Sequence, residues 1–230
     1  MPSKKDMFLD FRLAVSACEK CPYGKVREKP ITGDGDCRAP IVLVGPSPRK
    51  RDDVENTVFS GRAGQRLEQM LKEAELNINT IFRTYAIRCY GGREPSFGEF
   101  ASYKRCQPHT TDLIKLMKPH AIVICGYKVF KWMLLRWTSE IVDETSFYRW
   151  VGQTVRLKEV WGDRKFFIIA NPADLARARN PEAEAKSVDA LRLMKSYVKS
   201  IQHGEPIALE MTDLKRRPHT RTEQQTFGWS

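Results

Sequence analysis

Ile41-Val-Leu-Val-Gly45, followed at once by Pro46-Ser-Pro48, is the stretch on which the fold turns. Four consecutive apolar residues leave no polar face. A strand built from them is covered on both sides, as in a parallel sheet, and does not turn one side to water. Three further stretches carry the same kind of signal: Thr80 to Cys89, Ala121-Ile-Val-Ile-Cys-Gly126, and Phe166-Phe-Ile-Ile-Ala170. Helical patterns alternate with them. AGQRLEQMLKEAEL places Leu67, Met70, Leu71 and Ala74 at helical spacing, and Phe97 to Met117 is helix-compatible up to Lys118-Pro119. Another helix opens near Tyr127, and Glu182 to Ile201 reads as the last long one. The alternation predicts an α/β chain, a three-layer α/β/α sandwich around a mainly parallel four-stranded sheet. Thr154 to Val160, a turn at Trp161-Gly162-Asp163, and Lys165 to Ala170 give a hairpin signal, so an antiparallel pair is expected beside the parallel core. Periodicity is lost from His203 onward. The expected organisation is one domain over residues 1–203 and a basic, polar, flexible tail over 204–230.

The chain has 230 residues, a size that suits one compact domain with an appendage and excludes a large multidomain machine. Hydrophobic residues make up 41%, enough for a sizeable core, and the mean hydropathy of -0.48 argues against a membrane protein. No apolar run reaches the roughly 18 residues that a transmembrane helix needs. MPSKKDMFLDFRLAV carries Asp6 and Asp10 and no continuous apolar stretch, so neither a secretory nor a transit peptide is expected, and the expected location is the cytoplasm. Thirty-nine Lys and Arg against 28 Asp and Glu leave a net charge of +11, which favours polyanionic partners, nucleic acid first.

Six cysteines stand at 18, 21, 37, 89, 106 and 125. In the expected reducing compartment they are not disulfides. Cys125 sits inside an apolar strand and reads as a buried structural thiol. Cys18-Glu-Lys-Cys21, followed by Pro22, puts two thiolates within reach of one metal centre that needs two more donors. Cys89, ending a strand, and Cys106, in or beside a helix, are the natural ones, with Cys37 in reserve. By spacing alone the four thiolates satisfy zinc and an iron-sulfur cluster equally well.

From Cys18 onward, the order of features resembles the iron-sulfur uracil-DNA glycosylases, the family 4 branch of that superfamily. The matching pieces are Cys18-x-x-Cys21, Gly33-Asp34-Gly35, Val44-Gly45-Pro46-Ser47-Pro48, Phe59-Ser60-Gly61-Arg62-Ala63-Gly64-Gln65, Arg88-Cys89, Arg105-Cys106-Gln107-Pro108 and Asn171-Pro172-Ala173. They span roughly residues 18 to 181, and the GRAGQ element is the most specific. The resemblance implies DNA as partner and a [4Fe-4S] cluster on Cys18, Cys21, Cys89 and Cys106, with zinc the alternative. Such an enzyme takes a base out of the stack and reads it in a pocket. Phe59 would be the stacking face; as a bare residue it also reads as core. Gly61 and Gly64 bracket a helix start suited to a phosphate, with Arg62 beside it and Gln65 supporting the loop or the pocket wall. NPADLARARNP would enter the groove, with Leu175 as apolar wedge and Arg177 and Arg179 on backbone phosphates; its plain alternative is a helix start with a solvated basic face.

Three departures bear on chemistry. The family opens its first motif Gly-Glu-Ala-Pro-Gly, and here the glutamate position is Pro46. The asparagine that reads the uracil edge is Tyr85. The histidine of the last motif, which stabilises charge on the leaving base, is Asn171. An asparagine amide can still donate to an oxyanion, and Ser47 occupies the place where other branches position water. Two function classes therefore stand. One is a glycosylase hydrolysing the N-glycosidic bond of a uracil-related or modified base, with Ser47 and Asn171 at the chemistry and Pro46, Phe59 and Tyr85 around the base. The other is a catalytically inactive DNA-binding or accessory factor with a replication or repair protein as partner. A zinc-stabilised α/β protein binding RNA is the unrelated third. Arg49-Lys50-Arg51 reads either as a phosphate clamp or as a solvated loop, and Lys215 to Arg221 as a source of non-specific DNA affinity. Trp132, Trp137, Trp150 and Trp161 read mostly as packing, and His109, His120, His203 and His219 show no ligand or triad spacing.

Overall fold

The computed structural model describes residues 2–92, 99–134, 142–157, 164–205 and 207–213. The turn at Trp161, Trp137 and the Lys215–Arg221 run lie outside them. Among the described residues six strands form one sheet: β1 (Ile41–Gly45), β2 (Ile81–Tyr85), β3 (Ala121–Cys125), β4 (Thr154–Leu157), β5 (Arg164–Ile169) and the two-residue β6 (Thr212–Asp213), in the order β2-β1-β3-β5-β4-β6. The four apolar stretches supply the parallel neighbours β2, β1, β3 and β5. Every residue of β1 and β3 is buried, as continuous apolar runs demand of strands covered on both faces. β4 pairs antiparallel with β5, which is the expected hairpin joined to the main sheet.

Among the described residues, seven helices flank the sheet in a three-layer α/β/α arrangement: α1 (Lys4–Ser16), α2 (Lys50–Glu55), α3 (Arg62–Glu73), α4 (Glu99–Met117), α5 (Gly126–Met133), α6 (Pro172–Arg177) and α7 (Pro181–Gln202). α3 turns Leu67, Met70 and Leu71 inward, the positions picked out by their spacing. α1 packs on α4, α3 on α6 and α7, and α7 on β5. α1 lies in a segment that the sequence shows only as lacking a targeting signal. It is capped by Ser3 and Asp6 and buries Phe8, Phe11 and Val15. Trp132 stacks on Tyr103 at 5.2 Å and Trp150 packs on Phe130, so these two tryptophans serve packing.

The sheet is wider than the four strands counted from apolar runs, and the segment after His203 is not uniformly free. β4 would leave an open edge, a row of unpaired backbone groups. Thr212 and Asp213 pair parallel with it, and Leu209 packs on the core. Thr212 and Asp213, and Leu209 before them, thus contact the domain beyond the expected boundary at 203. No helix among the described residues is long and apolar enough to cross a membrane.

Candidate functional site

Ligand crevices in open α/β sheets lie beyond the carboxyl ends of the strands, where loops diverge. Here the ends of β1, β2 and β5 open into a cleft of about 530 Å³. β1 delivers Pro46 and Ser47, β2 delivers Tyr85, and β5 runs into Asn171, with Phe59 and Arg62 on the loop and helix between β1 and β2.

Each member is held by identifiable contacts. Asp34, bridging antiparallel to Arg83, accepts from Thr57 Oγ1 at 2.7 Å and from the Val58 amide at 3.0 Å, tethering the loop that carries Phe59. Phe59 adopts φ +58°, left-handed and strained for an aromatic residue. Its amide donates to Tyr85 Oη at 2.9 Å. A Cβ on Gly64 would stand 1.6 Å from the Phe59 carbonyl oxygen, which explains why GRAG has glycine there. Asn171 caps α6, its Oδ1 accepting from the Ala173 amide at 3.1 Å, so the Nδ2 protons stay available. The Ala170 amide donates to the buried Ser187 hydroxyl at 2.9 Å, fixing the end of β5 against α7.

A buried carboxylate lies at the centre of the cleft wall. Asp52, 3% exposed, takes four hydrogen bonds: Oδ1 accepts from the Ser60 amide and hydroxyl, both 2.7 Å, and Oδ2 from the Arg49 amide at 2.8 Å and Tyr85 Oη at 2.9 Å. Tyr85 thus donates to Asp52 and accepts from Phe59, and its ring lies 5.0 Å from the Phe59 ring. Burial, then the neighbouring carboxylate, push the phenol well above its ordinary range, so it stays a neutral donor. Asp52 was invisible in the sequence because RKRDDVE looks like a solvated charge run. Its place in the first turn of α2, three residues after Arg49, where a carboxylate can reach back to accept from the Arg49 backbone amide, is the one local cue.

Of the residues singled out by sequence, Pro46, Ser47, Arg49, Phe59, Arg62, Tyr85, Asn171 and Arg177 line this cleft. Gln65 and Arg179 are exposed outside its lining. Leu175, expected as a projecting wedge, is 4% exposed because it is the inward face of α6. Arg177 pairs with Asp174 at 3.0 Å and Arg51 with Glu55 at 2.6 Å, so two of the rim guanidinia are partly neutralised.

A second cluster lies off the exit of α1. Cys18, Cys21, Cys89 and Cys106 line one narrow recess together with Lys20, Arg27, Arg88, Arg105 and His109. Cys37 is buried elsewhere, and Cys125 is wholly buried in β3. Arg27 donates to Cys89 Sγ at 2.9 Å. Arg88, 1% exposed, donates to the Thr32 carbonyl at 2.8 Å and to Thr84 Oγ1 at 2.6 Å, yet its Nε and Nη2, like His109 Nε2, have no partner. Burial raises the Cys89 thiol, and raises Cys106 to about 11, opposed by Arg27 and Arg88 respectively. Among the described residues no three His, Cys, Asp or Glu side chains converge tightly enough for a single metal ion, so zinc is not supported. Four thiols around one recess, with orphaned cationic donors in its wall, suit an anionic polynuclear cluster. His109, without a role from its sequence spacing, belongs to this wall.

Comparison with known proteins places the chain in a family. The model of the uracil DNA glycosylase superfamily matches residues 32–192. A type-4 uracil-DNA glycosylase of Saccharolobus solfataricus is 29% identical over 143 residues, 59% of this chain and 65% of its own length. That of Sulfurisphaera tokodaii is 32% identical over 115 residues, 49% of this chain and 51% of its own length. That of Thermotoga maritima is 25% identical over 194 residues, 80% and 91%. The chain thus spans half to two thirds of the first two relatives and most of the third. With 161 of its 230 residues inside the matched region, counted from 32 to 192, the chain belongs to the uracil-DNA glycosylase superfamily.

Proposed function

We propose a uracil-DNA glycosylase-like role in DNA repair, in which the chain binds DNA across the cleft rim and seats an extruded nucleotide between the ends of β1, β2 and β5. The observation that carries this reading is the convergence of Ser47, Phe59, Tyr85 and Asn171 on one cleft edged by Arg49, Arg62 and Arg177. Arg62 opens α3, whose first amides add a positive end to the rim.

The reaction open to such a site is N-glycosidic hydrolysis. A water oxygen bonds to the sugar C1′, the electron pair of the C1′–N bond leaves on the base, and the water's proton passes to solvent. Ser47 Oγ would orient the water, and Asn171 Nδ2 would donate to the base oxygen on which charge develops. Neither supplies a carboxylate base or an imidazolium. Losing one oxyanion donor costs about 3 kcal/mol, two to three decades of rate. The family's edge-reading asparagine is also absent. A second reading, recognition without efficient uracil excision, is favoured by the locked Tyr85 hydroxyl, whose single proton is already given to Asp52 and cannot be donated to a base edge. In both readings Cys18, Cys21, Cys89 and Cys106 hold a [4Fe-4S] cluster. Such a group would supply a covalent cross-link among the exit of α1, the loop that follows β2, and α4.

The test is an excision panel: duplexes with uracil, hypoxanthine or hydroxymethyluracil, scored for alkali-labile sites beside DNA binding. Cleavage with one base supports the enzyme; binding without cleavage supports recognition. Uracil removal gained by Pro46→Glu, Tyr85→Asn and Asn171→His together would locate the difference in the pocket alone. A chain that binds no DNA refutes the proposal.

A further inference from the structure

Phe59 and Tyr85 cover each other. Phe59 is 7% exposed and Tyr85 3%, so neither offers a free face on which a base could stack. Both rings are pressed on the backbone of β1: a Cβ at Gly45 would lie 2.6 Å from Phe59 Cζ and 2.9 Å from Tyr85 Cδ1. The inner end of the cleft is therefore filled by an aromatic side chain belonging to the protein.

That side chain is fastened. The Tyr85 hydroxyl is held on one side by Asp52 and on the other by the Phe59 amide, each at 2.9 Å. The remaining three donors to Asp52 come from Ser60 and Arg49 and do not depend on Tyr85. Swinging the phenol out to admit a base would leave the Phe59 amide unpaired in a buried place and strip one donor from a buried carboxylate. The outer part of the cleft stays open and polar, with half-buried Ser47, the Nδ2 of Asn171 and the exposed Arg62. These are partners for a sugar and a phosphate.

We infer that Tyr85 stands in for the base, so that the nucleotide best fitted to this cleft is one without a base: an abasic deoxyribose phosphate within DNA. A nucleotide that carries a base must first evict the tyrosine, whereas an abasic one seats its sugar against the closed floor. This deepens the DNA-binding reading above and rests on it.

Fluorescence anisotropy on the full chain tests it. The probes are oligonucleotides carrying one tetrahydrofuran abasic analogue, uracil or thymine at the same position, each as single strand and as duplex. The expected result is binding of the tetrahydrofuran probe about tenfold tighter than either base-bearing probe. The preference persists in the single strand, where ease of extrusion from a helix plays no part. Tyr85→Phe keeps the ring but cuts both bonds that fasten it, so the preference narrows to a value between those of the unaltered chain and Tyr85→Ala. Tyr85→Ala empties the floor and brings the ratio down to about threefold or less by improving binding of the uracil probe. The comparison of probes on the unaltered chain needs no variant to fold. Equal affinity for all three probes, or tighter binding of uracil, overturns the inference and leaves the DNA-binding proposal standing. Absence of binding to every probe overturns both.

Discussion

Removing one oxygen, by Tyr85→Phe, measures how firmly the cleft floor is locked. The hydroxyl makes two buried 2.9 Å bonds, donating to Asp52 and accepting from the Phe59 amide. Without it the amide of a residue already held at φ +58° is orphaned, a penalty of about 1–3 kcal/mol, and a buried carboxylate drops from four donors to three. The ring stays, so no cavity forms. A net loss of about 3 kcal/mol follows, equal to roughly 6–12 °C in Tm for a domain of this size. Urea and thermal unfolding of both proteins read it, with an unchanged urea slope showing that the unfolded state is not what moved. A double-mutant cycle with Asp52→Asn should return a coupling of about 1–2 kcal/mol, since the two side chains share a bond. A Tyr85→Phe loss below about 0.5 kcal/mol, or a cycle that sums to zero, would refute the lock and weaken every argument that treats the phenol as immobile.

The same hydroxyl sets an alkaline limit. Its folded-state pKa is raised, so the stability it contributes is complete below the ordinary phenol pKa of 10.0 and is lost as pH climbs above that value; Tyr85→Phe should remove that part of the alkaline decline. Gly64→Ala forces a methyl to within 1.6 Å of the Phe59 carbonyl, and unfolding should show a loss of at least about 2 kcal/mol; a neutral result would mean that the loop is not pinned. Arg62→Ala should reduce the salt dependence of DNA binding by about one phosphate contact, whereas Gln65→Ala, outside the cleft lining, should leave it unchanged. Cys89→Ser should abolish the visible absorbance and iron content of anaerobically purified protein, while Cys37→Ser should retain both; equal effects would dissolve the four-thiol assignment.

Much of this molecule is local, and so legible in order along the chain. Continuous apolar runs can only be strands covered on both faces, and Leu67, Met70 and Leu71 can only be one face of a helix. The hairpin of β4 and β5 was equally plain. Pro46, Tyr85 and Asn171 were legible, by the resemblance alone, as expected departures from the family's motifs. What no local pattern carries is the partner of a polar group. Asp52 sits in a run of charges, and only packing reveals that it is buried and bonded to a tyrosine 33 residues away. Leu175 has the composition of a wedge, yet the register of a six-residue helix turns it inward. β6 reads as polar tail until an unpaired edge strand is found beside it. His109 and Arg88 acquire meaning only where the end of β2 and α4 meet the cysteines. Sequence by itself determined the layers, the strand order's raw material and the chemical inventory, because these depend on residues close along the chain. Tertiary structure alone decided which polar groups satisfy each other and therefore which remain free for a ligand, because hydrogen bonding in a buried place depends on neighbours that sequence distance does not reveal.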